Sequence, residues 1–507
     1  MIIIKSPIFF IATAFLIFLI AGCIPSSGFA NGYETKPETD EPWIAGSPVS
    51  SQPGLRYGVR QQNFVSSGGF MPFWLHSNNH DILGMEGYRD DFSAENTGYE
   101  FLTNIFGSWT EPLGRGFSLR LRSDVLLRHG LQDSEIRLQE AFGEITYGGF
   151  YLYGGRKREQ FGMLHPQLSL GTMDWSANAR PMTKIGFGTD GHRPVPWTRD
   201  YLFYDAYIAH GWMSDNDTRF VQDPWMHQKY LYLRVFEEDH IVTLHGGMSH
   251  YVMWGGYSPR DGDMRQDFKA FVDVFISRAG DRETMFENII GTGWLDNHMQ
   301  NHGGIYDFMF SLNLDDYRFR AGRQFMLEDT PNYRFAAPWD GIWSVSFERT
   351  SGERHLFDSA VYEHINTLDQ LRSNPKREGR TANYYNHSNY GGGWTYHGRV
   401  IGNPLYFSYD HQLGVANNEL VGHHVGFSGF LGDLAYRTLA TYSRNYGARR
   451  SFEDRSDWPR KDQYSFMVEL QYNFRQNWTA HTSIGADAGD LYKDKVGIML
   501  GVSWQSR

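Results

Sequence analysis

Twenty histidines and 58 acidic residues supply ample material for acid–base or metal chemistry, so their spacing decides what they can do. His423-His424 and the pair His76/His80 come nearest to metal-ligand spacing. Adjacent residues of a strand point to opposite faces, which would separate His423 from His424. Asp315-Asp316 falls in a polar turn, and sequence alone does not set two carboxylates across a cleft. Gly426-Phe427-Ser428-Gly429 only grazes the G-x-S-x-G nucleophile elbow, and no H-E-x-x-H, P-loop or dinucleotide fingerprint occurs. The expectation is a protein without catalytic residues, metal or cofactor.

The aromatics carry a different signal. Trp175, Trp197, Trp212, Trp225, Trp254, Tyr257, Trp294, Trp339, Trp394 and Tyr396 lie in or beside long polar stretches rich in Asn, Asp, Arg and Gly. A sugar ring offers apolar C–H faces and a belt of hydroxyls, so flat aromatics with planar bidentate polar groups suit it. The competing reading is a girdle of interfacial aromatics around a membrane barrel.

These residues must be positioned by strands. Tyr464, Phe466, Val468, Leu470, Tyr472 and Phe474 alternate with polar residues, turn at Arg475-Gln476-Asn477, and return through Trp478, Ala480, Thr482, Ile484 and Ala486. Val496, Ile498, Leu500, Val502 and Trp504 form the last strand. Similar hairpins are expected around Gly432-Asp433, Asp315-Asp316, Glu237-Glu238-Asp239, Gly148-Gly149 and Glu111 to Gly116, with a further strand over Phe268, Ala270, Val272, Val274 and Ile276. Tight turns alternate with long connections such as 156–180, 212–228, 254–266, 279–304, 322–340, 368–394 and 446–462. That asymmetry is how bacterial outer-membrane barrels are built, with the long loops outside the cell. The count of candidate strands is roughly 16 to 20, where even numbers are the rule. The fold class is therefore all-β, a transmembrane antiparallel up-and-down barrel, with room for a small helical plug or cap in the aperiodic stretches.

Composition agrees. The chain has 30 Tyr, 36 Phe and 15 Trp but a mean hydropathy of −0.50. After residue 30 no apolar run approaches the ~20 residues of a membrane-crossing helix. Residues 1–30 read as a signal peptide: Lys5, an apolar run from Ile8 to Ile20, then Gly28-Phe29-Ala30 before the cut. Leu19-Ile20-Ala21-Gly22-Cys23 also resembles a lipobox, which would make a lipidated Cys23 the first mature residue. Cys23 is the only cysteine, so a product cut after Ala30 has none to mispair in the periplasm. Residues 31–54 read as a flexible mature segment and 55–507 as the barrel. The net charge of −11 argues against non-specific nucleic-acid binding.

Two segments resemble motifs of the Wzi-type capsule assembly proteins: Trp175-Ser176-Ala177-Asn178-Ala179-Arg180-Pro181-Met182, and Tyr384 to Trp394 leading into Gly398-Arg399-Val400-Ile401-Gly402-Asn403-Pro404-Leu405. Glu140-Ala141-Phe142-Gly143 followed by Gly155-Arg156 is similar in layout. The resemblance runs from about residue 60 to the C-terminus. It implies a closed outer-membrane barrel of about 18 strands whose loops fold over the outer mouth, a lectin-like hold on exported capsular or extracellular polysaccharide, and no catalysis. The chain ends Trp504-Gln505-Ser506-Arg507 rather than on a terminal aromatic, an offset that the barrel-insertion machinery must tolerate. Candidate polysaccharide-binding residues are Trp175, Asn178, Arg180, Trp254, Tyr257, Trp294, Asn389, Trp394, Arg399 and Asn403. Each has a competing structural role in fixing loop entry by local hydrogen bonds. Other functions that fit the pattern are an outer-membrane porin or substrate-specific channel, a barrel-embedded enzyme, and a lipidated soluble β-protein.

Overall fold

The computed structural model describes residues 53–68, 70–83, 98–130, 134–216, 219–276, 300–328, 335–371, 382–387, 389–408, 414–448 and 459–506. The expected signal peptide, Cys23, residues 31–52 and Trp294 lie outside them.

Eighteen long strands close on themselves. They are β1 (Gly54–Ser66), β2 (Gly98–Gly114), β3 (Phe117–Gly130), β4 (Ser134–Tyr147), β5 (Phe150–Arg156) and β6 (Thr183–Thr189). Next come β7 (Leu202–Trp212), β8 (Trp225–Val235), β9 (Val242–Trp254), β10 (Gln300–Leu314), β11 (Tyr317–Leu327) and β12 (Gly341–Arg349). The last six are β13 (Ser359–Asn366), β14 (Leu420–Leu431), β15 (Leu434–Asn445), β16 (Lys461–Arg475), β17 (Trp478–Gly489) and β18 (Lys495–Gln505). Each is antiparallel to its neighbours in chain order, and the ring shuts where β1 pairs with β18, Val59 opposite Trp504 and Gln62 opposite Gly501. A closed ring leaves no unpaired edge, the condition for a sheet to sit in lipid.

Alternation gives the wall two faces. Outward side chains are apolar and exposed: Ile105, Leu121, Ile136, Leu138, Ile145, Ile185, Phe310, Val345, Phe466, Ile484, Ile498 and Leu500. Exposed apolar surface continuous around a barrel far exceeds what a water-facing monomer tolerates, and it marks the lipid-facing belt. Inward side chains are polar and buried, among them Asn104, Arg122, Asp124, Glu144, Gln228, Asp307, Gln324, Glu363, His424 and Glu469. His423 and His424 accordingly part: His423 faces outward, while His424 is fully buried and contacts the Leu168 carbonyl oxygen through Nε2 at 2.7 Å. Between β3 and β4 a register shift breaks the alternation. Asp124 pairs with Glu140 and Val125 with Leu138, so Gln139 is an extra residue and both Gln139 and Glu140 point inward.

Tight turns gather at one end, including 115–116, 148–149, 315–316, 432–433 and 476–477; the long connections gather at the other. Three long-connection segments turn back into the barrel: 70–83, 157–182 and 382–408. The first holds a one-turn helix, α1 (Phe73–His76), docked on β17 and β18 where Gly485 and Gly497 leave room. A Cβ at Gly497 would lie 2.7 Å from the Pro72 ring and one at Gly485 2.8 Å from Leu75. The stretch expected as a strand over Phe268 to Ile276 is a helix, α2 (Phe268–Phe275), capped by Asp267, whose side chain accepts from the Ala270 N–H at 2.8 Å. Its apolar residues satisfy a helical period as well as an alternating one, and the Asp267 cap together with burial of Ala270 and Val274 favours the helix.

Ile498→Arg, on the lipid face, should destabilise the barrel by about 2–4 kcal/mol in bilayers if it lies near mid-membrane. Gly497→Leu, on the opposite face of the same strand, should be destabilised through α1 rather than through lipid. Denaturant titration in vesicles and in detergent separates the two, because only the first penalty shrinks in detergent.

Candidate functional site

The three inward segments meet on one carboxylate. After α1 the chain reverses through Asn78, His80 and Asp81, all at positive φ, a conformation that Asn and Asp tolerate best among residues with a Cβ. The reversal leaves Asp81 fully buried. Its Oδ1 accepts from Arg399 Nε at 2.6 Å and its Oδ2 from Arg180 Nε at 2.5 Å. Arg137, on β4, donates to the Asp81 carbonyl oxygen at 2.6 Å and lies 3.8 Å from the carboxylate. Burial alone would raise this carboxyl, but Arg180, Arg399 and Arg137 outweigh it and hold it well below the usual carboxylate range.

The segment 157–182 is tied to the wall on nearly every side. Arg158 pairs with Asp124 at 2.9 Å and with Glu140 at 3.2 Å. The N–H groups of Met163, Leu170 and Met173 donate to Asp307 at 2.9 Å, Glu363 at 2.7 Å and Gln324 at 3.2 Å. Arg437 donates to the Gln167 carbonyl at 3.0 Å, and Ser249 to the Asp174 carboxylate at 2.5 Å. Irregular backbone at membrane depth must have its polar groups satisfied by protein, and the inward side chains of the strands do this.

The two motif segments pack on one another. Ser176 N–H donates to the Ile401 carbonyl at 3.0 Å, Ser176 Oγ to that of Gly402 at 2.6 Å, and Asn178 Nδ2 to that of Val400 at 2.9 Å. Asn403 Nδ2 donates to the Gly171 carbonyl at 2.6 Å, and its Oδ1 accepts from Leu405 N–H at 3.1 Å. Trp394 is buried, stacks on Tyr251 with 3.7 Å between ring centroids, meets Trp175 edge-on at 6.2 Å, and donates Nε1 to the Asp174 carbonyl at 2.9 Å. Gly393 takes φ +65°, the left-handed turn that presents Trp394 to this niche. Tyr384 reaches Asp340 at 2.9 Å, where burial lifts the Asp340 carboxyl to about 6.

Of the residues singled out from the sequence, Trp175, Asn178, Arg180, Trp394, Arg399 and Asn403 thus form one connected interior layer. Trp254 lies elsewhere, fully buried beneath α2 on the outer wall. Tyr257 and Asn389 stand at the long-loop mouth. Tyr257 is 47% exposed on a small hairpin, Gly256–Ser258 with Gly262–Met264. Beside it Arg260 donates to Asn389 Oδ1 at 2.9 Å and to the Asp261 carboxylate at 2.8 Å. The hairpin rests on the layer through Tyr390, which donates to the Gly255 carbonyl at 3.1 Å. An exposed ring, a guanidinium, a carboxylate and an amide carried on these two loops are groups of the kind that meet the faces and hydroxyls of a sugar.

Another inward group was not anticipated. Tyr153, Tyr207, Tyr230 and Tyr232 form a buried stack against Phe161, with Tyr207 and Tyr230 at 5.4 Å, and Lys157 sits 4.9 Å over the flanking Tyr151. Lys184 pairs with Glu159 and lies 4.1 Å over the Trp175 ring. The available signal was parity: Tyr151/Tyr153 and Tyr230/Tyr232 alternate with the outward Leu152, Leu231 and Leu233.

The model of the family "Capsule assembly protein Wzi" matches residues 91–408, more than half of the chain. Among solved structures, Wzi of Escherichia coli, described as an outer membrane protein involved in group 1 capsule assembly and a carbohydrate-binding β-barrel, superposes with a TM-score of 0.51 at 14% identity, covering 88% of this chain and 83% of that one. OccK5 (OpdH) of Pseudomonas aeruginosa gives a TM-score of 0.45 at 10% identity, covering 89% and 97%. The outer membrane protein OpdK of the same organism gives 0.44 at 10% identity, covering 89% and 98%. No curated protein matches the sequence.

Asp81→Asn removes the charge that three arginines share and should cost about 3–5 kcal/mol, the scale for stranding buried cations. Because the folded Asp81 carboxyl titrates below its unfolded value, its stabilisation is present above about pH 4 and lost as pH falls through the folded pKa. Unfolding monitored by tryptophan fluorescence should show wild type converging on Asp81→Asn as acid is added.

Proposed function

This chain belongs to the Wzi capsule assembly family and is an outer-membrane β-barrel, and from that premise we propose that it is a non-catalytic, lectin-like protein that holds exported capsular polysaccharide at the cell surface. The observation that supports the reading is the interior layer centred on Asp81, packed inside the barrel, with the Tyr257–Arg260–Asp261–Asn389 cluster joined to it toward the mouth. In this reading the long-loop end faces outward, a signal peptide directs export, and the barrel-insertion machinery accepts a last strand in which Trp504 precedes three polar residues. The layer's Trp175, Asn178, Arg180, Trp394, Arg399 and Asn403 act by fixing the platform, and Tyr257 and Asn389 act by contact. Trp294, outside the described residues, is proposed as a further sugar contact. The Escherichia coli relative's description as carbohydrate-binding supports the choice of ligand class.

The porin reading would require water and solute to pass a level at which Phe73, Met163, Leu170 and Met173 bond to side chains of the wall. Purified protein in planar bilayers should therefore show no steady conductance, whereas open steps would favour a channel. Deletion of the gene should leave polymer synthesised but shed into the medium, and normal cell-associated capsule in the deletion strain would contradict the proposal. Tyr257→Ala should weaken retention of purified capsular polysaccharide about tenfold, the scale of a well-placed aromatic contact, with Arg260→Ala next and barrel stability unchanged.

A further inference from the structure

Helix α2 lies on the outside of the barrel. On β9, Ser249 and Tyr251 reach inward to Asp174 and Trp394, so His250, Val252 and Trp254 face outward. On β8, Gln228 bonds the interior Lys184 and Tyr230 joins the inner stack, so His227 and Lys229 also face outward. On β10, Asp307 points in, leaving His302 on the outer face. A membrane barrel rarely turns polar groups of this kind toward lipid, since cations there are costly. Here α2 covers them. Ala270 and Val274 pack on Val252 and Trp254, Phe271 meets His227 edge-on at 6.0 Å, and the Lys229 ammonium donates to the Phe275 carbonyl at the helix C-terminus. His250 and His302 satisfy each other at 3.1 Å, and His302 reaches Gln300 at 2.8 Å.

The other side of the helix is exposed and largely apolar. Phe268 is 79% exposed and Val272 37%, flanking the exposed Lys269. This side continues a surface already assigned. Below it, toward the tight turns, the exposed Leu244, Phe308 and Phe310 belong to the lipid-facing belt. Around the same end of the barrel runs an outward girdle: Trp212 beside His210, and Tyr362, His423, Tyr442 and Tyr464, with Tyr362 bonded to His423 at 2.9 Å and Tyr442 against Tyr464 at 5.0 Å. Over β8–β10 the outward Trp225 and Trp254, 4.9 Å apart, are joined by the polar His227, Lys229, His250 and His302, and α2 lies over them.

We infer that α2 is an interfacial membrane helix: it lies along the lipid boundary at the long-loop end, seats Phe268 and Val272 among acyl chains, and holds Lys269 at the level of the lipid phosphates. It thereby completes the girdle over a sector whose strands also face outward with polar groups. The inference rests on the outer-membrane barrel reading and is independent of sugar binding. An amphipathic helix with aromatics on one side and a cation at its margin has the composition of such a segment.

The test is site-directed spin labelling in the full chain with Cys23 replaced by Ser, reconstituted in vesicles of phosphatidylcholine and phosphatidylglycerol. Phe268→Cys and Val272→Cys carry the label in turn, with Phe310→Cys as the lipid reference and Arg260→Cys as the water reference. A heat-modifiable gel shift establishes that each variant is folded. Labels at 268 and 272 are expected to be accessible to oxygen and shielded from a water-soluble nickel chelate, as at 310. Accessibility to the chelate as at 260 would overturn the inference. So would exclusion of both reagents with spin–spin broadening, which would place a second copy of the chain on this surface.

Discussion

The inward segments of this barrel converge on a charge removed from water. Asp81 cannot be buried alone, because an unpaired carboxylate in such a setting costs several kcal/mol. Three guanidiniums from three separate parts of the chain remove that cost: Arg137 from the wall, Arg180 from the end of the second inward segment, and Arg399 from the third. Glu135, itself bonded to Arg137 and 3.5 Å from Arg180, balances the excess cation. The geometry requires all three segments to be present together. A layer built from loops thus acquires a fixed shape without a helix bundle or a disulfide.

The wall and the layer depend on each other for a second reason. A lumen lined by Asp307, Gln324, Glu363, His424 and Asp487 would be water-filled if nothing entered it. The entering backbone would in turn carry orphaned N–H and C=O groups if the wall were apolar. Here the inward side chains of the strands are the partners of the loop backbone, as with Glu363 and Leu170 or Asp487 and Phe73. The polar inward face of a membrane barrel is commonly associated with permeation; in this molecule the same face binds the chain's own loops. The mouth cluster of Tyr257, Arg260 and Asn389 is joined to this layer through Tyr390.

The strands were legible because their pattern is local. Alternation over β16 to β18, the tight turns at 315–316 and 432–433, and the opposite fates of His423 and His424 follow from a period of two. The count of eighteen falls within the expected range and agrees with the number implied by the family resemblance. Helix α2 was misread as a strand, since Phe268, Ala270, Val272, Val274 and Ile276 fit an alternating period while the Asp267 cap is a single residue. The layer was partly legible: the two motif segments were singled out separately, and the structure packs them together. Their hub was not, because Asp81 and Arg399 lie 318 residues apart and nothing local announces the pair. Trp254, a candidate sugar contact for its position beside a long connection, is turned outward beneath α2 by the strand's parity.

The account's central claim is that the inward segments are as fixed as the wall that holds them. Hydrogen–deuterium exchange on the folded protein in membranes tests it directly. Amides of Phe73, Leu170, Ser176 and Trp394, none of them in a barrel strand, should exchange as slowly as amides within β10 and β14. Exchange of these residues at the rate of an exposed loop, with the strands still protected, would contradict it.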